Sequence, residues 1–170
     1  QLAWFENIPL LSWVALRARC RCCAEPISAQ YPLVELAVAI IWLLSVRQFG
    51  GGFTALRFAI VATVLLGVAV TDAKHYLIPD GFTVFGLLFA LAAAAYAATQ
   101  PDSGPFAGLY DSVIGACTGA GLIAIVGWLG EIAFKKEAMG MGDMTLMAFV
   151  GAAVGPNRAI LTVFVGAAIG

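Results

Sequence analysis

Charge is what this sequence has least of. Only 11% of its 170 residues are charged, against about 25% in an ordinary soluble domain, which excludes water as the main solvent for the chain. Neither sign is in excess: nine Lys and Arg stand against ten Asp and Glu. The concentrated basic face that a nucleic-acid partner requires is therefore missing, and no nucleic acid is expected. Histidine occurs once, at His75; its loop position beside Lys74 suits a solvated or substrate-side role better than a metal ligand. Residues 1–12 carry no basic segment of the kind that opens a signal peptide. The chain begins without Met and stops within the apolar run Ala167-Ala168-Ile169-Gly170, so both ends are expected to be cut.

What is present in quantity is apolar. Hydrophobic residues make up 62% of the chain, and mean hydropathy is +0.95. A helix needs roughly 20 apolar residues to cross a bilayer. Candidate spans fall at about 32–46, 55–71, 79–98, 111–132, 144–155 and from 158 onward. The expected fold is all-α, a polytopic membrane helix bundle of about six spans behind a small N-terminal cytoplasmic segment. The division expected is 1–30 for that segment and 31–170 for the membrane domain. The fifth span is too short for an ordinary crossing and is expected to be tilted, re-entrant or continuous with its neighbour. Gly115-x-x-x-Gly119 is a small-xxx-small pattern that allows close helix approach. The Gln100-Pro101-Asp102-Ser103-Gly104-Pro105 and Gly50-Gly51-Gly52 stretches read as loops on their turn chemistry.

Orientation follows from the placement of Lys and Arg. Arg17, Arg19, Arg21, Lys74, Lys135 and Lys136 fall in one alternating set of segments, and Arg47, Arg57 and Arg158 in the other. Six against three places the N-terminal segment, residues 72–80 and residues 135–143 in the cytoplasm.

Ionisable groups in membrane segments are rare enough that each is informative. Asp72 closes the second span and Asp143 opens the fifth, at the same membrane face in this topology. Two carboxylates brought together in a low-dielectric site share a proton, so that one activates water as general base while the other acts as general acid. A helix C-terminus disfavours negative charge and an N-terminus favours it. On that basis Asp72 is the protonated partner and Asp143 the ionised one, an assignment that requires Asn at the two positions to move the pH–rate profile differently. The plainer alternative for Asp72 is a solvated boundary carboxylate paired with Lys74; for Asp143 it is a helix cap. Gly140 and Gly142 precede Asp143 and would open backbone conformations closed to other residues and let a substrate strand come near.

In Ile78-Pro79-Asp80, Pro79 suits the first turn of a helix, and Asp80 suits its N-terminal dipole. Glu35 lies within the first span, where a buried Glu needs a partner or a binding role. Cys20-Arg21-Cys22-Cys23 holds a C-x-x-C, half of a four-thiolate zinc site, with the second pair expected before Gln1. Cys117 reads as a small core residue.

Taken in order, these segments resemble a family. Glu6-Asn7-Ile8-Pro9-Leu10-Leu11-Ser12-Trp13, Leu16-Arg17-Ala18-Arg19-Cys20-Arg21-Cys22-Cys23, Pro26-Ile27-Ser28 and Tyr31-Pro32-Leu33-Val34-Glu35-Leu36 are similar to the N-terminal signature of bacterial type IV prepilin peptidases. Asp72-Ala73-Lys74-His75-Tyr76-Leu77-Ile78-Pro79-Asp80 matches D-x-x-x-x-x-I-P-D, and Gly140-Met141-Gly142-Asp143 matches G-x-G-D. The resemblance implies that Asp72 and Asp143 are the catalytic pair, with Gly140, Gly142, Lys74, Asp80 and Glu35 shaping the site or binding substrate. It implies a membrane aspartic peptidase of the bacterial inner membrane that removes basic leaders from type IV prepilins or type II secretion pseudopilins at the cytoplasmic face. Bifunctional members also N-methylate the new terminus with S-adenosylmethionine, and carry a structural zinc module to which Cys20 and Cys23 would belong. One departure stands out: Thr145 occupies the place where the family usually has Lys.

Two other classes compete. An ion- or proton-coupled transporter would place its acids near the bilayer midplane on broken helices, whereas Asp72 and Asp143 fall at span ends. A non-catalytic component of a secretion machine would not need both aspartates.

Overall fold

The computed structural model describes residues 9–20, 23–99, 104–135 and 139–169. Residues 6–8 of the first motif, Cys22, Lys136 and the tip of the turn at 100–103 lie outside them. Among the described residues seven helices follow in order: α1 (Pro9–Ala15), α2 (Gln30–Phe49), α3 (Phe53–His75), α4 (Asp80–Ala97), α5 (Leu109–Phe134), α6 (Met141–Val154) and α7 (Pro156–Ile169). Among the described residues the only β pairing is the isolated bridge between Arg19 and Pro26.

Four of the helices, α2 to α5, are long and apolar enough to cross a membrane. The chain is thus an all-helical, multi-pass membrane protein. The fifth and sixth expected spans appear as helices of 14 residues each. At 1.5 Å per residue each extends about 21 Å, short of the roughly 30 Å hydrocarbon core. The break between them is local. Gly155 has φ +86°, a conformation that L side chains rarely adopt, and Pro156 then starts the next helix without an N–H to satisfy.

Contacts divide the chain into two units, residues 1–59 and 60–170. In the first, Cys20 N–H donates to the Glu25 carbonyl and Ile27 N–H to the Ala18 carbonyl. The Trp13 indole N–H donates to the Ile27 carbonyl at 3.0 Å, fastening α1 to this small hairpin. Arg47 and Arg57 are not loop residues as the sequence suggested. Arg47 is in the last turn of α2, and Arg57 is inside α3 and only 1% exposed.

The second unit is organised around α6. Small residues along its neighbours allow close backbone packing. A Cβ on Gly115 would overlap the Gly151 carbonyl, one on Gly151 the Gly115 carbonyl, and one on Gly119 the Met147 carbonyl. The Gly115-x-x-x-Gly119 pattern is therefore the seam at which α5 crosses α6 in antiparallel sense. On the opposite side α4 runs parallel to α6, with Gly86 leaving room for the wholly buried ring of Phe149. Val61 and Val64 of α3, Ala90 of α4, and Phe149, Ala152 and Ala153 of α6 form one core cluster.

A short helix ending inside apolar surroundings leaves carbonyls without partners. Here the Ser112 hydroxyl donates to the Ala152 carbonyl at 2.5 Å. Ala107 N–H donates to the Ala153 carbonyl, and Gly155 N–H to the Gly151 carbonyl. Beyond this end, Arg158 donates to the Pro105 carbonyl at 2.6 Å. Cys117 is exposed on α5 and not the core residue expected.

Candidate active site

The end of the second unit opposite that capped terminus is where the chemistry-bearing residues meet. Antiparallel pairing of α3 with α4 is fixed near this end by Gly67, against whose Cα face the Phe82 ring packs. The chain turns between α3 and α4 through residues 76–79, with Tyr76 in the left-handed region at φ +51° and its N–H donating to the Asp72 carbonyl. His75 and Lys74 belong to the last turn of α3 and are exposed; His75 is thus helical and not in the loop.

Asp72 continues a stripe. Val61, Val64 and Val68 are buried on one face of α3, and the next residue at helical spacing is Asp72, which emerges exposed at the helix end. Asp143 is half-buried in the first turn of α6. Its helical neighbour Leu146 packs against the cluster that contains Val61 and Val64. Both aspartates therefore sit at the same end of the same helix group, one turn beyond faces that meet in a common core.

Asp143 is held by its own turn. Its Oδ2 accepts the Gly140 N–H at 3.3 Å, and its N–H donates to the Gly140 carbonyl. This is the carboxylate half of a capping box. The two glycines before it differ in purpose. Gly140 is extended at φ −80°, so neither it nor Gly142 adopts the unusual backbone expected from sequence. Gly142 instead permits close approach: a Cβ there would lie 3.1 Å from Ile78 Cβ. The two sequence motifs, Ile78-Pro79-Asp80 and Gly140-Met141-Gly142-Asp143, are thus packed against one another.

A second contact joins them. Thr83 Oγ1 and Thr145 Oγ1 lie 3.1 Å apart. Pro79 is the N-cap of α4, one position earlier than expected, and Asp80 is exposed at the first helical position. A groove of about 440 Å³ opens beside Gly140, lined by Ile123, Trp128 and Glu131 of α5 and by Met139 and Met144. Sequence reading passed over this groove and the threonine pair; the i, i+3 spacing of Trp128 and Glu131 at the end of α5 was its one visible sign.

Other expected residues lie elsewhere. Glu35 is in the first unit, on an exposed face of α2 and not buried as its position in a span suggested. Cys20 and Cys23 share one turn, closed by Ala24 N–H donating to the Cys20 carbonyl. Among the described residues no third Cys, His, Asp or Glu joins them, so they supply two ligands where zinc takes four.

The sequence has counterparts among known proteins. Residues 1–49 match the model of the bacterial peptidase A24 N-terminal domain. Residues 59–170 match that of the type IV leader peptidase family. The chain belongs to the type IV leader peptidase family. Similar members include a prepilin leader peptidase/N-methyltransferase of Myxococcus xanthus, 38% identical over 89% of this chain and 43% of that protein. The one from Klebsiella pneumoniae is 37% identical over 89% of this chain and 63% of its own. A type 4 prepilin-like proteins leader peptide-processing enzyme of Escherichia coli is 40% identical over 86% and 52%. The chain thus spans about half the length of the curated relatives it matches. No solved structure matches it.

Proposed function

We propose that this member of the leader peptidase family is a membrane aspartic endopeptidase that removes the leader from type IV prepilins or type II secretion pseudopilins. The observation that carries this reading is the convergence of its two motifs: Gly142 packs on Ile78, and Asp72 and Asp143 stand at the same end of the bundle. In the reaction Asp143 takes a proton from a water, whose oxygen attacks the scissile carbonyl. Asp72 donates a proton to the departing amine, so that the pair ends with its proton exchanged and both products neutralised. The groove between α5 and Met144 gives an extended chain a route to Asp143, and its methionines adapt to differing apolar side chains.

The site end is proposed to face the cytoplasm and the membrane to be the inner membrane, on the distribution of Lys and Arg. The names of relatives also include N-methyltransferase. Methyl transfer from S-adenosylmethionine, and zinc on Cys20 and Cys23, are proposed for the protein as a whole. Two thiolates on one tight turn fit half of such a zinc site.

The test is processing of a prepilin in membranes containing the full-length protein. Wild type is expected to remove the leader, and Asp72→Asn and Asp143→Asn to abolish removal while remaining inserted and folded. Undiminished processing by both variants would overturn the assignment.

A further inference from the structure

We propose that the Thr83 and Thr145 hydroxyls form a positioning device that locks the start of α6 to the start of α4, and thereby sets Asp143 against the loop that follows Asp72. This rests on the peptidase reading for its consequence, though not for its geometry.

Thr83 is completely buried, one of few polar residues so placed. A hydroxyl in such surroundings needs a partner. Thr83 could satisfy itself locally, since its Oγ1 is 3.1 Å from the Asp80 carbonyl. Thr145 could do the same, with its Oγ1 2.9 Å from the Gly142 carbonyl. Yet the two hydroxyl oxygens also lie 3.1 Å from each other. Each hydroxyl carries one proton, so two protons serve three contacts.

If both protons went to local carbonyls, two oxygens would face each other with lone pairs only. That repulsion leaves two favourable orders. Either Thr145 donates to Thr83 and Thr83 to the Asp80 carbonyl, or Thr83 donates to Thr145 and Thr145 to the Gly142 carbonyl. Both orders contain the inter-helix bond. Both also end on a peptide group of a functional motif: the Gly142 carbonyl belongs to the peptide unit whose nitrogen is that of Asp143. A shift of α4 against α6 is therefore transmitted to the Asp143 backbone through two covalent bonds. The Ile78–Gly142 contact supplies the second point of the clamp, so sliding and rotation are both restrained.

A purely structural role makes a different prediction from a positioning one. Replacing both partners of a buried hydrogen bond by apolar groups of the same shape is nearly neutral for stability. Thr83→Val with Thr145→Val should therefore fold well, and a structural role would leave it fully active.

The experiment uses the full-length protein in detergent or membranes, with wild type, Thr83→Val, Thr145→Val, the double variant and Thr145→Ser. Each Val variant is expected to lower kcat for prepilin cleavage about tenfold, the effect of one lost hydrogen bond, with KM unchanged. The double variant should be no slower than either single one, because the two share one interaction, and Thr145→Ser should restore the rate. Amide exchange, read without substrate, should speed up in Thr145→Val at residues 81–86 as well as 142–148. Unchanged kcat in every variant, or faster exchange confined to α6, overturns the proposal. If wild type processes no prepilin while exchange still changes on both helices, the clamp stands and the peptidase reading falls.

Discussion

Single residues at this site act through their size more than their charge. At Gly142 a methyl group would meet Ile78 Cβ at 3.1 Å, an atom that no side-chain rotation can move away. Gly142→Ala is expected to cost about 1–3 kcal/mol through overpacking and to slow processing. Gly140→Ala, whose Cβ would meet Asp143 Oδ2 at 3.9 Å and the Gly142 nitrogen at 4.0 Å, both ordinary contacts, should remain within about 1 kcal/mol of wild type. Unfolding curves in denaturant and a processing assay on both variants decide this; greater damage from Gly140→Ala would show that the turn and not the contact matters. Their spacing before Asp143 drew attention to both glycines alike. Which one carries the steric demand was not legible, because Ile78 is far away in sequence. Thr145 shows the same limit: as a departure from the usual Lys it was conspicuous, but its partner Thr83 looked like any polar residue in a helical first turn.

At the scale of helices, hydropathy located all six apolar segments, since lipid imposes one simple demand on every residue of a span. It also marked the fifth as too short. It could not show how a short helix is kept, because that depends on hydrogen bonds from α5 and the segment before it. Nor could it separate Arg57, buried within α3, from a basic loop residue, since a hydropathy window averages one charge away. The α5–α6 seam yields a sharp expectation. Gly151→Ala would drive a Cβ into the Gly115 carbonyl, and backbone cannot yield as a side chain does. Its loss of stability should reach the top of the ~1–3 kcal/mol range for overpacking or exceed it. Gly121→Ala, with nothing within 4 Å, is the control and should fold within about 1 kcal/mol of wild type. Comparable yields of folded protein from the two would contradict the close crossing.

For the whole molecule, the proposed topology puts the two ends of the second unit in different compartments. Single cysteines at Tyr76 and at Pro105, in a background lacking the four native cysteines, should react with an impermeant thiol reagent from opposite sides of the membrane. Tyr76 is expected to react from the cytoplasmic side. Labelling of both from one side would break the proposed topology, and with it the proposed delivery of a cytoplasmic leader to Asp143.

The capped far end of α6 also bears on how the protein is made. A helix of 14 residues is too short to settle across a bilayer unaided, and the donors for its last carbonyls, Ser112 and Ala107, are synthesised before it. Membrane insertion must therefore proceed by docking α6 onto an existing α4–α5 hairpin. Until that docking, a nascent chain carries Asp72 without Asp143 beside it, so on the proposed function the completion of its own biogenesis would switch the protein on.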